Sequence, residues 1–285
     1  MIIAIQPDNY GDDKRDSSST RWSQLIEAAG HEVRWVDVYQ PGILDQLAGC
    51  QGFMWRFAHF HGMKQIARRV MTVIQNQLGL LVYPDHRTAW HYDDKIAQAY
   101  IFEALDIPTA RTWVFWRRDD AVRFAREAEY PLVAKLARGA ASSNVRLVER
   151  KEEGERLVKH LFEVPNNLNP EDSHLALCWP KARGRFRGAL RLLIKGLPEF
   201  TGWLGKDGEI PRNYVLFQEF IPGNAYDYRV VVVGDRAWGF RRYNRPGDFR
   251  ASGGGRFNLS RTGVERDVLE TAVERARRGE LATTE

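Results

Sequence analysis

Cysteine is scarce in this chain. Its two residues, Cys50 and Cys178, lie far apart, and neither has a second cysteine or a histidine at metal-ligand spacing beside it. Neither a disulfide framework nor a zinc site is supported, and two reduced thiols are expected. Long apolar runs are missing as well, for none approaches the roughly 20 residues of a helical membrane span. The start, MIIAIQPDNYGDD, is briefly apolar and then acidic, so it lacks the basic flank and long apolar segment of a secretion signal. A cytoplasmic protein is the expectation. Internal repeats are absent, and no tract is long or polar enough to predict extensive disorder.

The remaining composition is that of a folded protein. With 285 residues, 44% hydrophobic and 28% charged, the chain can bury more than one core, and its length favours about two domains. The net charge is +5 and the pI about 9.2. The basic excess gathers between Lys181 and Arg191 and at Arg241 and Arg242. That clustering reads equally as a solvated basic face or as a surface for an anionic ligand.

Apolar periodicity divides the chain. Residues 1–6, 31–38, 52–57 and 80–83 read as strands, and 22–29, 43–48 and 63–78 as helices between them, with Gly30 ending the first helix. Such alternation predicts a small parallel sheet covered on both faces. Past His91 the pattern changes: a helix stops near Ile107 and Pro108, and Thr112–Trp116 is a strand. A helix at 119–127, strands at 132–136 and 145–148, and a helix at 152–162 follow. Residues 164–212 read as an insertion with one helix among loops. Strands resume at 214–220, 228–233 and 237–243, and 262–278 is a final amphipathic helix.

Several residues suit phosphate chemistry. Lys135 ends the strand PLVAK, from which an ammonium can be aimed as a point charge. The Gly139–Asn144 stretch is built of small residues whose amides and hydroxyls can approach phosphate oxygens, although a plain hairpin turn would look the same. In the strand carrying Arg241 and Arg242, with Arg245 just beyond it, alternation puts every second side chain on one face. Arg241 is the candidate for stabilising charge on a transferred phosphoryl group. Arg56 and His59 follow a predicted strand end, where open parallel sheets place ligands. They read equally as a grip for an anionic acceptor or as a polar loop beside a packed Trp55.

In this order, YPLVAKLARGAASSNVRLV and LFQEFIPGNAYDYRVVVVGDRAWGFRRYNRPGDFRASGGG resemble the nucleotide-binding half of the ATP-grasp ligases. The resemblance covers most of residues 85–275 and is closest to the branch of glutathione synthetases and ribosomal-protein glutamate ligases. It implies a Rossmann-like parallel-sheet domain at 1–84, followed by an ATP-grasp domain of two α+β halves at 85–285. It also implies that Lys95, Lys135, Ser142 and Ser143 contact nucleotide phosphates, and that Gln218, Glu219 and Ile221 lie along the adenine edge. Asp227, nine residues after Gln218, matches the ribose-binding acid, though it would also serve as a turn cap. Arg250 and Ser252 match the motif that faces phosphates and substrate, with Gly253–Gly255 as a substrate loop.

The implied activity is an ATP-dependent ligase that joins a carboxylate to an amine or thiol through an acylphosphate. Its partners would be ATP or ADP and a peptide, nucleotide-sugar or surface-polysaccharide precursor. Magnesium is expected by resemblance, yet the family's Asp strand and Glu-x-Asn strand after the last helix have no match here, so no metal ligand is assigned. The expectation is therefore a C-terminally incomplete fold with an exposed sheet edge, marginal stability or self-association to a homo-oligomer. A non-catalytic nucleotide-binding scaffold is the second reading. Nucleic-acid binding through Lys181–Arg191 is the weakest, because aromatic interleaving is missing.

Overall fold

In the computed structural model, the described residues are 1–8, 17–59, 61–137, 144–163, 213–234, 236–260 and 263–278. The chain divides into two compact units, one running from Met1 to Tyr92 and the next beginning at Asp93.

The first unit holds strands β1 (Ile2–Gln6), β2 (Glu32–Trp35), β3 (Gly52–Trp55) and β4 (Leu81–Tyr83), all parallel in the order β2-β1-β3-β4. Helices α1 (Ser18–Ala28), α2 (Ile43–Gln46), α3 (His61–Asn76) and α4 (His86–Ala89) alternate with them. Successive residues Ala4 and Ile5 on β1 are fully buried, so both faces of this central strand are covered, as a parallel strand requires. Phe53, Trp55, Met71 and Ile74 fill the core.

Helix α1 starts four residues before its apolar period does, because the Ser17 hydroxyl accepts the Thr20 N–H at 3.1 Å and caps it. Gly30, with φ at 79°, follows its end. Asp8 accepts from the Ser18 N–H (3.0 Å) and the Ser19 hydroxyl (2.8 Å), tying the end of β1 to the first turn of α1.

The second unit contains two antiparallel sheets. Strands β5 (Thr112–Phe115), β6 (Leu132–Lys135), β7 (Val145–Val148) and β8 (Val215–Glu219) form the first, in the order β5-β8-β6-β7. Helices α5 (Lys95–Ala104), α6 (Arg118–Glu127) and α7 (Lys151–Glu163) accompany it. Alternation gives the sheet two chemically distinct faces. Trp113, Phe115 and Phe217 meet Phe124 of α6 with ring centroids 4.9, 4.9 and 5.7 Å apart, and Leu157, Val158 and Leu161 of α7 complete that core. The opposite face carries Thr112, Lys135, Leu216 and Gln218.

The second sheet, in the order β11-β10-β9, comprises β9 (Tyr226–Val233), β10 (Arg236–Tyr243) and the two-residue β11 (Phe257–Asn258). Helix α8 (Arg266–Arg278) lies on it at Gly239, where an added Cβ would stand 2.8 Å from Leu269 and 3.0 Å from Val264. Strand β11 was not anticipated, since two residues carry no periodicity. The expected helix within 164–212, the basic stretch 181–191 and Cys178 lie outside the described residues, while Cys50 is a buried free thiol. No helix among the described residues is long and apolar enough to cross a membrane.

Candidate functional site

A cavity of about 140 Å³ opens in the second unit between α5 and the polar face of the four-stranded sheet. Lys95, Gln98 and Phe102 reach it from α5, Thr112 from β5, Lys135 from β6, and Gln218 from β8. The two lysines meet because Asp94 caps α5 through the Ala97 N–H (3.1 Å), while the Lys95 N–H donates to the Ala137 carbonyl at 2.8 Å. That backbone bond fastens the first turn of the helix to the end of β6. Lys135 projects from the strand itself.

Both ammonium groups are electrostatically costly where they stand. Burial pulls the Lys95 pKa down, and nearby Asp93, 3.8 Å away, and Asp94 oppose the shift. Lys135 falls further, to about 8, through burial and then through the like charge of Lys95. An anion entering the cavity would favour the charged form of both lysines.

The sign of the stability effect follows. Between about pH 8 and the usual 10.5, the unfolded chain holds the Lys135 proton that the folded chain has lost, so unfolding free energy rises with pH there. Below about pH 8 both states are protonated, and the burial cost is fully present. Denaturant unfolding of wild type and Lys135→Met is expected to show the wild type gaining relative stability from pH 7 to pH 9.5. A constant difference across that range would contradict the buried-ammonium description.

Gln218 joins two walls of the cavity. Its Oε1 accepts a hydrogen bond from Lys135 Nζ, and its Nε2 donates to Thr112 Oγ1 at 2.9 Å. Neighbouring Glu219 donates its N–H to the Arg111 carbonyl (2.8 Å), and its carboxylate lies 3.4 Å from Arg111 Nε. Ile221 is 55% exposed just beyond β8.

The remaining candidates distribute over the second sheet. Asp227 and Arg242 are register partners, bonded at 2.8 and 2.9 Å through both guanidinium and carboxylate edges. Arg241 points to the α8 side, where it donates to Glu265 at 2.7 Å and its guanidinium lies over Tyr226 and Tyr228, 4.8 and 5.4 Å from the ring centroids. Tyr228 also donates to Glu265. Arg241 and Asp227 therefore occupy opposite faces, and Arg242 is the arginine that alternation puts beside Asp227 and Arg229.

Counting back from the turn gives the same pairing. Val233 pairs with Arg236 across a two-residue connection, which sets Asp227 opposite Arg242. Thr112 was also missed, because only the pairing of β5 with β8 brings it to Gln218.

Arg250 is held by Asp248 in contacts of 2.7–3.0 Å, and its Nη1 donates to the Val145 carbonyl at 3.4 Å. Val145 is the register partner of Lys135, so the loop after β10 is drawn to the strand beside the cavity. The Ser252 carbonyl accepts from Arg245 at 2.7 Å. Ser142 and Ser143 lie outside the described residues. In the first unit, Arg56 lies 3.9 Å from Asp8, its side chain 47% exposed, and His59 follows the same strand.

Among the described residues no group of three or more His, Cys, Asp or Glu side chains could hold a metal ion.

No protein-family model matches the chain. Among curated proteins it resembles the alpha-aminoadipate–LysW ligase LysX of Saccharolobus solfataricus, with 28% identity over 71 residues, 25% of this chain and 26% of that enzyme. The matched stretch thus spans about a quarter of the relative's length. The structural likeness is far wider. The RimK-domain ATP-grasp protein of Sphaerobacter thermophilus aligns over 98% of this chain and 82% of its own, with a TM-score of 0.58 and 18% identity. The ATP-grasp ligase PsnB, solved with minimal precursor, Mg and ADP, aligns over 99% and 82%, with a TM-score of 0.55 and 16% identity. Agreement over nearly the whole chain, joined to the parallel sheet of the first unit and the paired antiparallel sheets of the second, assigns this protein the ATP-grasp fold.

Proposed function

We propose that the cavity at Lys95 and Lys135 receives the phosphates of an adenine nucleotide, and that the protein is an ATP-dependent carboxylate–amine ligase. The observation that carries this reading is the convergence of two half-buried ammonium groups in one cavity. In the reaction, a substrate carboxylate oxygen attacks the γ-phosphorus, the bond to the β-phosphate oxygen breaks, and ADP departs. The amine then attacks the acyl carbon of the acylphosphate and expels phosphate while losing a proton. Lys95 and Lys135 would supply positive charge to the phosphates, and Arg250, which reaches the carbonyl of Val145, the strand partner of Lys135, would act on the same group.

Glu219 and Ile221 would border the base. Asp227 would meet the ribose only by exchanging its Arg242 partner for hydroxyl donors. Ser142, Ser143 and Ser252 would complete the phosphate contacts, and Arg56 and His59 would face an anionic acceptor such as a peptide or sugar-nucleotide precursor. On this reading residues 1–84 are the domain preceding the ATP-grasp domain at 85–285.

A second reading is nucleotide binding without turnover. Two measurements on the full chain separate the readings. Nucleotide at about a hundred times its Kd is expected to stabilise the fold by roughly 2.7 kcal/mol, seen as a rise in Tm with ADP or ATP. A ligase will then release ADP and phosphate when ATP, magnesium, a carboxylate acceptor and an amine are supplied together. A Tm shift without release across acceptor classes leaves the binding reading, and no shift with either nucleotide removes both.

A further inference from the structure

The polar face of the four-stranded sheet carries a hydrogen-bond chain whose direction is dictated at both ends. Lys135 Nζ donates to Gln218 Oε1, Gln218 Nε2 donates to Thr112 Oγ1 (2.9 Å), and Thr112 Oγ1 donates to the Ala110 carbonyl (2.9 Å). An ammonium can only donate and a backbone carbonyl can only accept, so neither the amide nor the hydroxyl can reverse without breaking a link. The register builds the chain. Gln218 lies between Thr112 and Val133 on the adjoining strands, and Lys135 is its diagonal neighbour.

We infer that Thr112 and Gln218 are positioning residues for Lys135, holding its ammonium oriented in the cavity that it shares with Lys95. Neither residue needs to touch the reacting atoms. Their action is on a flexible four-carbon side chain that would otherwise have to be ordered when an anion arrives. The functional consequence rests on the nucleotide reading above, whereas the relay itself does not.

The charged surroundings of Lys135 make the relay measurable. Lys95 on α5 is the like charge acting on it, with Asp93 and Asp94 beside Lys95. Strand β7 places Val145 opposite, with Arg250 and its partner Asp248 reaching that residue's carbonyl. Strands β5 and β8 present the uncharged Thr112, Leu216 and Gln218. An acceptor held against the ammonium favours its charged form, so losing that acceptor lowers the titration midpoint further.

The test is competitive labelling of the full chain with acetic anhydride from pH 6 to 11, read lysine by lysine by mass spectrometry. Exposed Lys159 serves as the internal reference. Gln218→Leu is expected to lower the Lys135 midpoint by about one pH unit, the equivalent of one hydrogen bond to a charged group. Thr112→Val is expected to move it less, in the same direction, and Thr112→Ser to leave it in place. Near-isosteric Thr112→Val and Thr112→Ser keep the test informative if Gln218→Leu fails to fold. A midpoint unmoved by Thr112→Val or by a folded Gln218→Leu overturns the relay.

Calorimetric ADP binding on the same samples separates the two claims. A shifted midpoint with no ADP binding by any of these proteins supports the relay and removes the nucleotide reading. ADP binding with an unmoved midpoint does the reverse.

Discussion

Lys135→Ala is expected to weaken ADP and ATP binding by about 10- to 100-fold while leaving the empty protein at least as stable as wild type. The first effect follows from removing one hydrogen bond to a charged phosphate, about 1.5–3 kcal/mol, where each 1.4 kcal/mol is tenfold. The second follows from the environment, since burial and the Lys95 charge have already pulled the Lys135 pKa down to about 8. Truncation removes a desolvated cation and relieves Lys95, which offsets the packing lost with the side-chain stem. Opposite signs distinguish a binding lysine from a structural one, for which stability would fall and binding would not respond. Calorimetry with ADP and a thermal melt without it are sufficient. Wild-type affinity in the variant would remove Lys135 from the site.

Gly154→Ala is expected to destabilise the second unit by about 1–3 kcal/mol, although alanine is the better helix former by about 1 kcal/mol. The added Cβ would lie 2.2 Å from the Tyr130 hydroxyl and 3.2 Å from the ring carbon bearing it. Tyr130 cannot yield freely, because that hydroxyl donates to the Ala125 carbonyl at 2.7 Å. Burial, followed by the charges of Glu155 and Glu152, pushes its pKa up to about 12, so it remains a donor through the neutral range. On a Tyr130→Phe background the closest obstacle is gone, and the same substitution should be neutral or stabilising. Urea unfolding of the two single variants and the double variant measures the coupling. Equal destabilisation on both backgrounds would mean that the hydroxyl is not the obstacle.

The elements were legible wherever one local rule sufficed. Alternating strands and helices predicted the parallel sheet of the first unit, and Gly30 marked the end of α1. The start of α1 was missed because Ser17 acts by accepting a hydrogen bond from Thr20, and apolar periodicity does not register a cap. Alternation separates Arg241 from Arg242 without saying which face meets a helix. Glu265, beside the start of α8, decides that.

By itself the sequence determined the parts: two lysines at a helix start and a strand end, the glutamine near the end of a later strand, and the apolar periods that build the sheets around them. Only the tertiary structure decided that β8 enters between β5 and β6, setting Gln218 between Thr112 and Lys135. Local periodicity specifies which face of a strand is apolar. It does not specify which strands become neighbours, because that choice is made by burying Phe217 against Phe124 and Phe115, residues distant from it in the chain. The polar face then inherits its cavity from the packing of the apolar one.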